Sequence, residues 1–227
     1  MAIIVGIDGT GSAFTPGAGR DTDYDTAFAK SFVSRICKPE TNNKKYYRGP
    51  VALGGGLVDA VNGGANFILG RRRAGVTEDV LLTGYSRGAA GVVALAAQLK
   101  RQNVPVRAML LFDCVDRHLF INAEVIPNNV GHVMHVIRDP KSSSRESFSN
   151  DGMRFTPPTV YPAAYTFMCT HGGMGGTPWD ATGHSPNDII NEGGVDGATK
   201  ITYGQDARVS QEVWAFVQSF IRTHGFM

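Results

Sequence analysis

Ser86 stands in Gly84-Tyr85-Ser86-Arg87-Gly88, between the apolar run DVLLT at 79–83 and an alanine-rich stretch that continues to Gln102. A serine held between two glycines where a buried strand turns into a helix can serve as a nucleophile. The chemistry needs the glycines because side chains at those positions would collide with the strand and the helix. A helix that starts at the serine also turns backbone N–H groups toward developing negative charge. A serine that merely caps a core helix is the plainer alternative. Both glycines and both flanking elements together favour the nucleophile.

A serine hydroxyl needs a base. The six histidines are His118, His132, His135, His171, His184 and His224. His171 follows an apolar run directly and enters a glycine-rich loop, CTHGGMGG at 169–176. Functional groups gather at the carboxyl ends of strands in a parallel sheet, which favours His171. It also gives the chain order Ser…Asp…His of α/β hydrolases. His132 and His135 read as core or edge residues of a strand, His184 as a reserve base in a polar loop, and His224 as exposed. The base needs an orienting carboxylate. Asp113 ends RAMLLF and Asp139 ends HVMHVI, while Asp116 lies three residues beyond Asp113. Either strand-end aspartate could instead form a turn or cap a helix, so the residues alone leave both open. The oxyanion donors expected are the N–H of Arg87 and those of the glycine loop at Gly9 and Thr10. Asp8, Tyr85 and Trp179 are the candidates for touching substrate.

These groups need a frame. Apolar runs at 2–7, 79–83, 107–112, 132–137 and 165–169 read as strands. Helical spacing appears at 26–37, 54–69, 86–102 and 210–223. Helices between the early strands imply an α/β fold with a mostly parallel sheet covered by helices on both faces. A chain of 227 residues with 42% hydrophobic content fits one domain, 1–227. The polar, turn-rich stretch 177–209 is long for a connection and is a candidate lid or binding loop. The glycine-interrupted stretch 54–69 is a second candidate for a pocket wall, with a packed core helix as the simpler reading.

Other chemistries find little support. A net charge of +2 makes no broad case for nucleic acid. Arg71-Arg72-Arg73 is one dense basic run, either solvated or a contact for anionic headgroups. Cys37, Cys114 and Cys169 are too few and too widely spaced for a disulfide framework or a zinc site, and read as reduced core thiols. IVGIDGT at 4–10 resembles half of a D-x-D-G-T phosphatase signature, but Gly6 stands where the phosphoryl-accepting aspartate would be. No Walker A, H-E-x-x-H or paired C-x-x-C occurs, so neither metal nor cofactor is expected. MAIIVGIDGTG has no basic n-region, and no run approaches the length needed to cross a bilayer. The expectation is a protein that is cytoplasmic as made, with export by a route that reads no such signal left open. Oligomeric state is not legible.

IDGTGS at 7–12, YYRGP at 46–50, GGGL at 54–57, GYSRGA at 84–89, LFDCVD at 111–116, HVMHVIRD at 132–139, FTPP at 155–158 and CTHGGMGG at 169–176 fall into one family order. The chain resembles the α/β-hydrolase family of serine hydrolases that includes bacterial type VI secretion phospholipase effectors. The resemblance implies an α/β-hydrolase-like fold and an esterase or phospholipase in which Ser86 attacks an ester carbonyl; a small-ester esterase or thioesterase using the same residues and a non-catalytic binding protein on a hydrolase scaffold are the alternatives. An ester or lipid would be the substrate, with peripheral membrane contact. The family's W-D-T-V stretch aligns with Phe112-Asp113-Cys114-Val115, which places Asp113 ahead of Asp139. The family's H-S-D-V-G-G loop is here His171-Gly172-Gly173-Met174-Gly175-Gly176, which keeps the histidine and lacks the serine and aspartate.

Overall fold

A computed structural model describes residues 2–11, 18–38, 40–115 and 121–227. The first half of the chain forms β1 (Ile3–Ile7), α1 (Ala18–Ala27), α2 (Phe32–Cys37), β2 (Lys44–Tyr47), α3 (Leu57–Arg73), β3 (Val80–Tyr85) and α4 (Arg87–Arg101). The second half forms β4 (Val106–Phe112), β5 (Val125–Ile126), β6 (Val130–Arg138), β7 (Arg154–Phe155), β8 (Ala164–Phe167), α5 (His171–Met174), β9 (Ile189–Asn191), β10 (Ala198–Thr202) and α6 (Tyr203–His224). Six strands build a parallel sheet in the order β2-β1-β3-β4-β6-β8. The fold is α/β and α/β-hydrolase-like.

Alternate strand residues face opposite sides of a sheet, and here both sides are apolar. Ile3, Val5, Ile7, Val80, Leu82, Met109 and Leu111 pack against α3 and α4. Ile4, Leu81, Ala108, Leu110 and Phe112 pack against α1, α2 and α6 on the other side. That double burial is why the strands read as continuous apolar runs. α6 joins this core through Val209, Val213, Val217 and Ile221, one residue per turn. Thr202 caps its first turn by accepting from the Gln205 N–H, and Gly225 closes it at φ 78°.

The structure departs from the sequence expectations in four places. The helix expected at 26–37 is two, because Ser31 caps α2 by accepting from the Ser34 N–H and its hydroxyl donates to buried Asp8. Lys44–Tyr47 is an edge strand that the two lysines conceal, with only Tyr46 buried. α6 begins at Tyr203, ahead of the expected 210. The stretch 177–209 contains the antiparallel pair β9 and β10.

The turn from β3 into α4 is packed too closely for side chains beside the serine. A Cβ on Gly84 would lie 2.6 Å from the Ala89 Cα. One on Gly88 would overlap the carbonyl oxygens of Ile7 and Asp8, so α4 starts directly against the end of β1. Neither obstacle is a flexible side chain. Gly88→Ala is therefore expected to destabilise at the top of the ~1–3 kcal/mol range for overpacking. The check is a fall in the urea midpoint at unchanged m-value.

Candidate active site

The carboxyl ends of neighbouring strands bring the candidates together. Tyr85 pairs with Phe112, and Phe112 with Val136, so the residues that follow these strands leave the sheet side by side. Ser86 leaves β3 at φ 56° and ψ −130°, a conformation uncommon for a residue with a side chain. Its N–H donates to the Phe112 carbonyl and its own carbonyl accepts from the Val115 N–H, which ties the two turns together. Asp113 leaves β4 at φ 44°, and its N–H donates to the Val136 carbonyl. His171 opens α5 behind Thr170, whose hydroxyl accepts from the Gly173 N–H.

The three side chains form one hydrogen-bonded line. His171 Nδ1 lies 2.6 Å from Asp113 Oδ2, and His171 Nε2 lies 2.8 Å from Ser86 Oγ. A carboxylate only accepts, so Nδ1 carries the proton and Nε2 accepts from the serine hydroxyl. Burial alone would raise the fully buried Asp113 carboxyl. The hydrogen bond and charge of His171, and then those of Arg138, outweigh burial and hold it well below the usual carboxylate range. Oδ1 accepts from Asn150 Nδ2 at 2.6 Å and from the Arg138 N–H at 3.3 Å. Oδ2 also accepts from Arg138 Nη1 at 2.7 Å. The sequence singled out neither Arg138, although it stands within HVMHVIRD, nor Asn150.

His171 is held from several sides. Its N–H donates to Ser144 Oγ at 2.8 Å, and its carbonyl accepts from the Tyr85 hydroxyl at 2.9 Å. The Tyr85 ring lies against the imidazole with centroids 5.0 Å apart, and Phe148 meets it edge-on at 5.4 Å. Buried Asp206 of α6 accepts from the Thr170 N–H, the Thr170 hydroxyl and the Trp179 N–H, which anchors both sides of the His171 turn.

The other aspartate candidate does different work. Asp139 accepts from the Lys141 N–H at 2.8 Å and caps the 3-10 turn Pro140–Ser142. Asp116 and His118 lie outside the described residues. His184 is exposed and stacks on Tyr203. His135 lies in the core as expected. Burial lowers its pKa to about 4, and the neutral ring accepts from the Cys114 N–H at 3.2 Å, bracing the turn that carries Asp113.

Thr10, Tyr85, Ser86, Arg87, His171 and Trp179 all line a cavity of about 640 Å³. Phe28, Leu53, Val115 and Phe148 give it apolar wall, and Arg145 and Glu192 add charge. The Arg87 side chain stitches the loops together, donating from Nε to Thr10 Oγ1 at 2.8 Å and from Nη2 to the Ala52 carbonyl at 2.9 Å. Two expectations need correcting. The Gly9 N–H, expected as an oxyanion donor, donates to Asp8 Oδ1 at 2.9 Å. Asp8, expected at the substrate, is fully buried beneath the loop. It accepts there from Ser31 and from the Tyr46 hydroxyl at 3.0 Å. Tyr85 is 4% exposed and acts on His171 more than on the cavity.

Several solved structures overlay on the chain. An uncharacterized protein from Pseudomonas aeruginosa overlays at a TM-score of 0.45 and 14% identity, over 95% of this chain and 45% of that one. The chain thus spans less than half the length of that protein. A putative YdeN-like hydrolase from Pectobacterium atrosepticum overlays at 0.40 and 12% identity, over 92% of each chain. An acetyl xylan esterase overlays at 0.33 and 10% identity, over 97% of each. No family model matches the chain, and no curated protein matches it in sequence.

Asp8 yields a prediction. Burial pushes its carboxyl up to about 6 against the partial opposition of Ser31, the Gly9 N–H, Tyr46 and Lys38. Below pH ~4 the group is neutral in both folded and unfolded chains and costs nothing. As pH rises the unfolded chain ionises first, so stability falls through pH 4–6 and levels off above. A shift of about two units corresponds to about 3 kcal/mol. Relative to wild type, Asp8→Asn should gain about that much between pH 4 and pH 7 in urea titrations. A difference between the two proteins that does not vary with pH would refute the assignment.

Proposed function

We propose that the chain is a serine-dependent carboxylic ester hydrolase. The observation that carries this reading is the line Ser86–His171–Asp113, opening at Ser86 and His171 into a cavity. His171 Nε2 takes the Ser86 proton as Oγ attacks the ester carbon, and Asp113 holds the tautomer and stabilises the imidazolium. The N–H of Arg87, first residue of α4, and that of Thr10 across the cavity receive the oxyanion. His171 then protonates the leaving alcohol, and water, activated in turn by His171, hydrolyses the acyl-enzyme. No metal or cofactor is required by this sequence of steps.

The strained serine supports the reading. A positive φ in a non-glycine residue costs about 1–3 kcal/mol and persists where the surroundings impose it. An ordinary N-cap serine uses its side chain to bond the first turn, and Ser86 makes no such bond. Ser86→Ala should cost at least ~10³ in kcat while leaving the fold intact. Fluorophosphonate labelling with peptide mapping checks the same point: label on Ser86 in the wild type, and none in the mutant. A Ser86→Ala protein with near wild-type esterase activity would end the proposal.

The substrate we favour is lipid-like, in line with the resemblance to phospholipase effectors and with the apolar wall of Phe28, Leu53, Val115, Phe148 and Trp179. Leu53 is 80% exposed at the cavity edge, where an acyl chain or a lipid surface could meet it. The charged side of the cavity, Arg145 and Glu192, favours a second reading as an esterase for smaller polar esters. A series of p-nitrophenyl esters from acetyl to palmitoyl, run beside phospholipid vesicles, separates the two. The lipid reading expects kcat/KM to rise with chain length and vesicles to be cleaved; a maximum at acetyl with vesicles left intact rejects it.

A further inference from the structure

Arg138 ends β6, and its side chain is 5% exposed beside an Asp113 side chain with no exposure. Its guanidinium serves four acceptors. Nη1 donates to Asp113 Oδ2 at 2.7 Å, the oxygen that also takes His171 Nδ1. Nε donates to the Ser144 carbonyl at 2.8 Å, and Nη2 to the carbonyls of Arg145 and Phe148. That segment touches the base and the cavity: Ser144 Oγ receives the His171 N–H, Phe148 abuts the imidazole, and Arg145 and Phe148 line the wall. One planar fork therefore spans the acid, the anchor of the base and the wall of the site, which a lysine's single point charge cannot do.

We propose that Arg138 is a positioning residue of the reaction: it keeps the Asp113 carboxylate aimed at His171 and couples that carboxylate to the Ser144–Phe148 wall. The inference rests on the ester-hydrolase reading and extends it to a residue outside the line of three. Because the guanidinium shares Oδ2 with the imidazole, it also shields the negative charge that His171 meets. Other charged or titratable groups around this cluster are Arg145, paired with Glu192 and Asp196 of the β9–β10 hairpin, together with neutral His135 and the Tyr85 phenol.

Two variants test this by kcat, KM, fluorophosphonate labelling rate and the pH dependence of kcat/KM. Arg138→Gln should lose on the order of 10²-fold in kcat and label more slowly in proportion. Its acidic limb should move upward by ~1 pH unit, because an unshared Asp113 charge favours the protonated imidazole. Arg138→Lys keeps a charge for Asp113 but gives up the carbonyls. It should stay within ~10-fold of wild-type kcat with a raised KM and an acidic limb near that of the wild type. A folded Arg138→Gln with wild-type kcat and an unmoved limb overturns the proposal. So do equal losses in both variants with no movement of the limb. If neither variant folds by circular dichroism, Arg138 belongs to the fold alone and the proposal is again overturned. The wild type runs in the same series: failure of its Ser86 to label would reject the hydrolase reading itself, a result distinct from any variant effect.

Discussion

A carboxylate with no exposure must have every lone pair engaged, and Asp113 imposes that demand on the structure around it. Removing one partner of such a buried pair leaves an uncompensated charge, which is far more costly than never having built the pair. The demand is met by four donors from three segments: His171 behind β8, the side chain and backbone N–H of Arg138, and Asn150. Each donor fixes the segment that carries it. The position of His171, the course of the 144–150 segment and the end of β6 are thus parts of one electrostatic solution.

A second buried carboxylate organises the opposite side of the cavity. Asp8 follows β1 and gathers the Gly9 N–H, the Ser31 hydroxyl and the Tyr46 hydroxyl. Tyr24 continues the network, donating to the Gly9 carbonyl and accepting from the Gly49 N–H. The network splits what would be one helix into α1 and α2 and draws the edge strand β2 into place. It also sets the loop on which Thr10 faces Arg87. In this arrangement Asp8 works on backbone geometry, and its desolvation is a standing cost in stability at neutral pH.

The C-terminal third closes the site by the same means. Asp206 of α6 ties Thr170 to Trp179, and Glu192, the residue after β9, accepts from Ser144 and from the Arg145 N–H. Asp196 holds the Ser147 N–H. The stretch 177–209, whose composition suggested a lid or a binding loop, supplies anchors to the His171 turn and lines the cavity through Thr177, Trp179 and Glu192.

Sequence alone was informative wherever a local rule applied. Double burial makes the central strands continuous apolar runs, so β1, β3 and β4 were legible, and the glycines around Ser86 announced a turn with no space for side chains. Ser86 and His171 could be singled out because each follows an apolar run and sits among glycines. The choice between Asp113 and Asp139 stayed open on the residues, since both end strands. In the structure the β4 turn brings Asp113 to His171, while Asp139 caps its own turn. Arg138, Asn150 and the true place of Asp8 were hidden for one reason. The bonds of Arg138 and Asn150 to Asp113 and of Tyr46 to Asp8 span 25 to 38 residues of sequence, and such contacts exist only once the sheet has brought the strand ends together.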